Sequence, residues 1–297
     1  MTRHVDSDLS AAISAVTGLR LAPAPDTTAS GGSVSTCTRW LSDSGPLFVK
    51  TAAGDRAWAF EAEADGLRAL AAASSIRVPR VLGVGRTEDR AWLALEWLDL
   101  CPASSASETR LGEQLARQHG VIGDTYGWHR TNTIGLSVQP NDWHDDWPGF
   151  FAERRLGYQL DLAAAGGQPA RLIDRGRRLC EQVPGLLAGH SAAPSLLHGD
   201  LWAGNHAEDA AGRPVIFDPS VYYGDRETDL AMARLFGGYG RAFHEAYETA
   251  WPLDPGADQR FTLYNLYHVL NHLNLFGGGY RGQAQSMIDS LLAEAGG

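Results

Sequence analysis

Near residue 100 the pattern of the chain changes. Before that point, runs such as "SGGSVSTCTRWL", "PLFVKTA" and "VPRVLGVGRTEDRAWLALEWL" combine alternating or apolar residues with turn formers, so they predict strands, the last an antiparallel pair around a charged turn. After "DLCPASSAS" the periodicity becomes helical. Helices are expected over "SETRLGEQLARQHG", over "WPGFFAERRLGYQLDLAAAGG" with Pro148 in its first turn, and over 171–190, 227–251 and 258–295, with breaks inside the last. A strand-rich first third and a helical remainder predict an α+β chain of two lobes with a cleft between them. A small lobe of antiparallel sheet plus helix is expected over 1–98, and a larger, mainly helical lobe over 99–297. A length of 297 residues, near the size at which one core stops growing, is consistent with that division.

Two helices are expected inside the first lobe. "SDLSAAISAVTG" places Leu9, Ile13 and Val16 at helical spacing, and 55–73 places Phe60, Ala64, Leu67 and Ala71 on one face. At about 100° per residue, Glu63 lies at the edge of that buried face and Glu61 points away from it. Glu63 is therefore the inward carboxylate.

"LLHGDLWAGN" is a short apolar run, a polar break, and then Asp200 and Asn205 five positions apart. Upstream stand a glycine-bearing turn at Gly31, Gly32 and Ser33, then Lys50 at the end of a strand, then Glu63. Downstream, "VIFDPS" places Asp218 after an apolar strand. Singly these are ordinary: lysine–glutamate pairs are mostly surface ion pairs of little worth, and an Asp after a strand is usually a cap. In this order they match the working parts of the protein-kinase-like class. The shared demand is charge management, because a transferring phosphoryl group spreads negative charge over its oxygens. Lys50 would reach the α and β phosphates of ATP, with Glu63 fixing its direction. Asn205 and Asp218 would supply hard oxygen ligands to Mg2+, and Asp200 would take the proton of the attacking hydroxyl. His198 is expected to shape the loop rather than to act as a base.

Two other stretches favour ordinary structural roles. "HVLNH" sets His268 and His272 at i and i+4, but the general-base glutamate of a zinc helix is missing and no third ligand is evident. "NDWHDDWPGFF" fits a helix capped by Asp145 or Asp146, with aromatics in the core. A net charge of −10 disfavours nucleic acid and anionic membranes as partners and suits a cationic small substrate. Cys37, Cys101 and Cys180 are far apart with no CxxC pair, and no stretch approaches eighteen uncharged apolar residues. The expectation is a cytoplasmic protein, monomeric for want of any coiled-coil signal, with no membrane partner.

"LLHGDLWAGN", "FDPSVYYGDRETDLAM", "FGGYGRAFHEAY" and "DQRFTLYNLYHVLNHLNLFGGGYR" resemble the fructosamine-3-kinase (ketosamine-3-kinase) family, a branch of the aminoglycoside-phosphotransferase and protein-kinase-like fold. "FVKT", "FEAEADGLRAL", "VPRVLGVG" and "NDWHDDWPGFFAERRLGYQLDL" extend the resemblance over almost the whole chain. Aminoglycoside phosphotransferases more commonly have histidine where this loop has Trp202, whose face could stack on the sugar-derived part of the substrate. The resemblance implies ATP-dependent phosphorylation of the C3 hydroxyl of ketosamines, small or on glycated protein lysines, leading to deglycation. It implies Asp200 as base, Lys50 and Glu63 as ion pair, Asn205 and Asp218 as metal ligands, and the backbone of Glu96, Trp97 and Leu98 as the hinge that meets adenine. Many family members have cysteine directly after the glycine pair, associated with redox-switched dimers. Ser33 stands there, so that control is not expected. The rival readings are a related phosphotransferase of aminoglycosides or choline, and a nucleotide-binding pseudokinase. Against the latter, Lys50, Asp200, Asn205 and Asp218 are all present.

Overall fold

The computed structural model describes residues 2–28 and 35–296 and divides into two compact units, Met1–Ala103 with Ala207–Pro219 and Ser104–His206 with Ser220–Gly297. The turn expected at Gly31, Gly32 and Ser33 lies outside the described residues.

The first unit begins with α1 (Thr2–Thr17), β1 (Thr27–Thr28), β2 (Thr36–Ser42) and β3 (Gly45–Ala53). It continues through α2 (Ala57–Ala73), β4 (Val81–Arg86), β5 (Arg90–Glu96) and the short β6 (Leu100–Cys101). Five of these strands form one antiparallel sheet in the order β1-β2-β3-β5-β4. Strand alternation sends Leu47 and Val49 to one face, where they bury with Trp40, Trp92 and Ala94 against Leu9 and Ile13 of α1. Full burial of such side chains contributes about 1.5–3 kcal/mol each. The other face carries Cys37, Lys50 and Leu93 side by side in register, and α2 meets it there. Phe60, Ala64 and Leu67 are buried as the spacing predicts, while Ala71, in the last turn of α2, is exposed. Val16 departs from expectation too, at 56% exposed, because it lies over Gly83 of the edge strand β4, which has no side chain to cover it.

The second unit contains α3 (Ser105–His119), the hairpin β7 (Asn132–Ile134) and β8 (Ser137–Gln139), and α4 (Trp147–Phe150). A π-helical stretch at 151–157 leads into α5 (Tyr158–Ala165), followed by α6 (Ala170–Leu186) and β9 (Ser195–Leu197). The chain then returns to the first unit through β10 (His206–Asp209) and β11 (Pro214–Ile216); β10 pairs with β6, and the Ile216 amide donates to the Arg77 carbonyl. The second unit resumes with β12 (Tyr222–Gly224), paired with β9, and closes with α7 (Glu227–Leu235), α8 (Arg241–Ala250), α9 (Ala257–Phe276) and α10 (Arg281–Ala295). An antiparallel sheet with helices in the first unit and a mainly helical second unit make the chain α+β. No helix among the described residues is long and apolar enough to cross a membrane.

Helix ends follow local chemistry. The Ser104 hydroxyl accepts from the Ser107 amide, so α3 begins at Ser105, two residues before the expected start. Asp146 caps the helix with Pro148 in its first turn. The single helix expected over 227–251 is two, because Gly237 and Gly238 both adopt positive φ and interrupt it.

A buried ionic network ties α7 to its surroundings. His190 Nε2 meets Asp225 Oδ2 at 2.7 Å, the Tyr264 hydroxyl donates to the same oxygen at 2.6 Å, and Arg260 donates to both oxygens of the fully buried Glu227. Ligand atoms of His190, Asp225 and Glu227 lie within 4.8 Å of one another, but Arg260, His190 and Tyr264 already engage the carboxylates, so the set reads as an ion-pair network. Burial opposes charge on both His190 and Asp225. Their mutual hydrogen bond and attraction outweigh it, raising the histidine above its ordinary 6.5 and lowering the carboxyl below 3.8. The His190 contribution to stability is therefore complete below pH 6.5 and lost as pH rises through its raised folded value. That of Asp225 is present above 3.8 and lost as pH falls through its depressed one. Denaturant midpoints measured upward from pH 6 should decline, and His190→Gln should flatten that decline.

Candidate active site

In the first unit Lys50, only 6% exposed, extends from β3, and its Nζ donates to Glu63 Oε1 at 2.7 Å and Asp218 Oδ1 at 2.5 Å. Burial would push the ammonium toward neutrality; the charges of Glu63 and Asp218 overcome this and hold its pKa above the ordinary lysine range. Glu63 is shifted upward by burial, with Lys50 opposing and Asp218 reinforcing. The three groups thus form a dry lysine shared by two carboxylates, with a formal surplus of one negative charge.

Asp218 follows β11 in a left-handed backbone conformation, φ 57°, which costs a non-glycine residue about 1–3 kcal/mol. Among the described residues only Ser74 shares that distinction outside glycine. Strain of this kind persists where the surroundings over-determine a position, and Asp218 is held by the lysine. At the end of β5, Glu96 Oε1 accepts from the Arg80 amide at 2.9 Å, and Trp97 donates through Nε1 to Asp99 while Arg39 covers its ring. Leu98 follows, partly exposed. Cys37 lies beside Lys50 in the register, and burial raises its thiol pKa, which keeps it protonated.

In the second unit β9 delivers "HGDLWAGN". His198 is fully buried, and its Nδ1 accepts from the Asp200 amide at 3.3 Å. Asp200 is partly exposed. Asn205 Nδ2 donates to the Asp200 carbonyl at 2.9 Å and to its Oδ2 at 3.2 Å, so one tight turn binds these two side chains together. Trp202 is 41% exposed, and its ring lies flat on Gly204, where an added Cβ would fall 2.2 Å from Cη2.

Sequence reasoning did not assign a role to Asp229, whose carboxylate clamps this loop from beneath. Its Oδ2 accepts from the His198 amide and its Oδ1 from the Gly199 amide, both at 2.8 Å, while His119 Nε2 contacts Oδ2 at 3.2 Å. Burial opposes ionisation of Asp229, but the His119 hydrogen bond, the nearby imidazoles and the Gly199 amide hold its pKa below the ordinary carboxylate value. Gly199 itself has φ 83°, and a Cβ there would meet the Ser220 carbonyl at 2.1 Å. Ser220 is braced in turn: its amide donates to the His198 carbonyl, its hydroxyl to Thr133, and its carbonyl accepts from Gln139. The only sequence signal for Asp229 was an acidic residue in the first turn of a helix, which is common.

The structure therefore brings Lys50, Glu63 and Asp218 together in one unit, and His198, Asp200, Trp202 and Asn205 together in the other.

A family model described as fructosamine kinase matches residues 5–294. A Synechocystis protein named as a probable ketoamine kinase is 48% identical, over 82% of this chain and 82% of its own. A chloroplastic protein-ribulosamine 3-kinase of Arabidopsis thaliana is 39% identical, over 88% of this chain and 81% of its own. A solved structure from Thermobifida fusca, named as a putative fructosamine-3-kinase, superposes with a TM-score of 0.85 at 31% identity, covering 97% of this chain and 99% of that one.

Two outcomes follow from the geometry. Lys50→Met leaves the largely buried Glu63 carboxylate without its cation, beside an Asp218 side chain that is 34% exposed, and should destabilise the fold by about 1–3 kcal/mol in urea unfolding. Asp229→Asn can accept from only one of the two loop amides, so stability should fall by about 1–3 kcal/mol, with kcat reduced more than the KM for nucleotide changes.

Proposed function

The chain belongs to the fructosamine kinase family, and from that membership we propose that it transfers the γ-phosphoryl group of ATP to the C3 hydroxyl of a ketosamine, small or carried on a glycated protein lysine. The observation that carries this reading is Lys50, a buried ammonium aligned by two carboxylates on the strand face of the first unit. A positive group held dry and in fixed direction interacts with phosphate far more strongly than one in water. Gly31, Gly32 and Ser33 would cover the phosphates, and the backbone of Glu96, Trp97 and Leu98 would meet adenine.

Asn205 and Asp218 would hold Mg2+. The donor set fits by its chemistry, since carboxylate and carboxamide oxygens are hard ligands, and Asn205 engages Asp200 through its amide nitrogen. When bound, the ion offsets negative charge on the phosphate oxygens. Asp200 takes the proton of the acceptor hydroxyl as that oxygen bonds to the γ-phosphorus; the bridging P–O bond breaks and its electron pair leaves with ADP. The half-exposed face of Trp202 would pack on the sugar-derived carbons. A 3-phosphate so formed is prone to eliminate, which frees the amine.

Incubation with ATP, magnesium and a panel of fructosyl and ribulosyl amines, followed by phosphorus NMR, should give a phosphomonoester on C3. Asp200→Asn should lower kcat about 10²–10⁴-fold; turnover at the wild-type rate would remove the base assignment.

A further inference from the structure

The stretch "FGGYG", 236–240, interrupts what would otherwise be one helix and has no role in the chemistry above. It lies across the turn 202–205. Gly238 has φ 98°, and a Cβ on it would stand 2.4 Å from Ala203 Cβ, so the strap backbone rests directly on that turn. The Tyr239 hydroxyl donates to the Trp202 carbonyl at 3.4 Å, the same carbonyl that accepts from the Asn205 amide at 3.0 Å. The Tyr239 ring stacks on His206, immediately after Asn205, at 5.6 Å and 17°, and on Phe243 at 4.5 Å and 29°. Burial and the carboxylates around it raise the tyrosine pKa and keep its hydroxyl a donor. Both ends are tied down: Phe236 packs on His272 of α9, and the Gly240 amide donates to Glu108 of α3 at 3.0 Å.

We propose that the 236–240 strap is a positioning element for the acceptor half of the reaction, fixing Trp202 through Gly238 against the neighbouring Ala203 and Tyr239 against the Trp202 carbonyl. The inference rests on the kinase reading and adds to it a device that touches neither nucleotide nor reacting atoms. Two features make the strap suited to this. Glycine at 238 permits van der Waals approach that any side chain would block, and a hydroxyl shared with the turn's own capping carbonyl registers the strap along the turn.

Steady-state kinetics with a ketosamine and ATP, run on wild type, Gly238→Ala, Ala203→Gly with Gly238→Ala, and Tyr239→Phe, test it. Gly238→Ala should lower kcat/KM for the ketosamine by about tenfold or more while KM for ATP stays within about twofold. Removing the opposing methyl with Ala203→Gly should recover part of that loss. Tyr239→Phe should shift ketosamine kinetics in the same direction by about two- to fivefold with little change in melting temperature, so the strap is still put to the test if Gly238→Ala fails to fold. Wild-type ketosamine kinetics in Tyr239→Phe and in any folded Gly238→Ala would overturn the proposal and leave the kinase reading intact. Losses shared equally by ATP KM and melting temperature, with no recovery from Ala203→Gly, would reduce the strap to ordinary packing and overturn it too. Failure of the wild type to phosphorylate any ketosamine would overturn both.

Discussion

One buried carboxylate holds the 198–205 loop in shape. Asp229 accepts from two consecutive backbone amides, those of His198 and Gly199, and no neutral side chain could satisfy both with equal strength. Those amides sit where β9 ends, so without the carboxylate they would be buried donors lacking partners. The loop that follows, with Asp200 and Asn205 bonded to each other, inherits its position from that clamp. His119 and Tyr247 support the clamp in turn, which links α3 and α8 to the loop.

The first unit solves a different problem, that of keeping a charge in a dry place. Lys50 loses hydration on burial and is compensated by Glu63 and Asp218, whose charges more than reverse the effect on its pKa. A buried pair of this kind is weak evidence of stability, since well-packed apolar residues would often serve the fold as well. Its presence on a strand face, next to a strained Asp218, is better explained by function.

The legible part of the site was local. Glu63 could be told from Glu61 because helical geometry alone separates their directions, and α2 does bring Glu63 to Lys50. The α+β character was readable because strand and helix periodicities differ over long runs. Illegible were Asp229, distinguished only by what lies across from it, and the short strands β6 and β12, two and three residues long, which exist only through partners distant in the chain. The break at 236–240 was passed over because an isolated glycine pair is tolerated in a helical pattern. Here both residues take positive φ, which no helix admits.

What the amino-acid sequence determined by itself was the set of elements and the chemical types on offer: a lysine on a strand, an inward glutamate, an aspartate and asparagine in one tight turn, and an aspartate after an apolar strand. Period and turn chemistry act over a few residues, so they can be read without coordinates. Only tertiary structure decided which carboxylate secures the loop, that Trp202 lies on Gly204 with one face outward, and that a glycine strap bears on Ala203 and on the Trp202 carbonyl. Those contacts join residues up to 37 positions apart. They are settled by packing density and by the need to pair every buried polar group, and neither leaves a local trace.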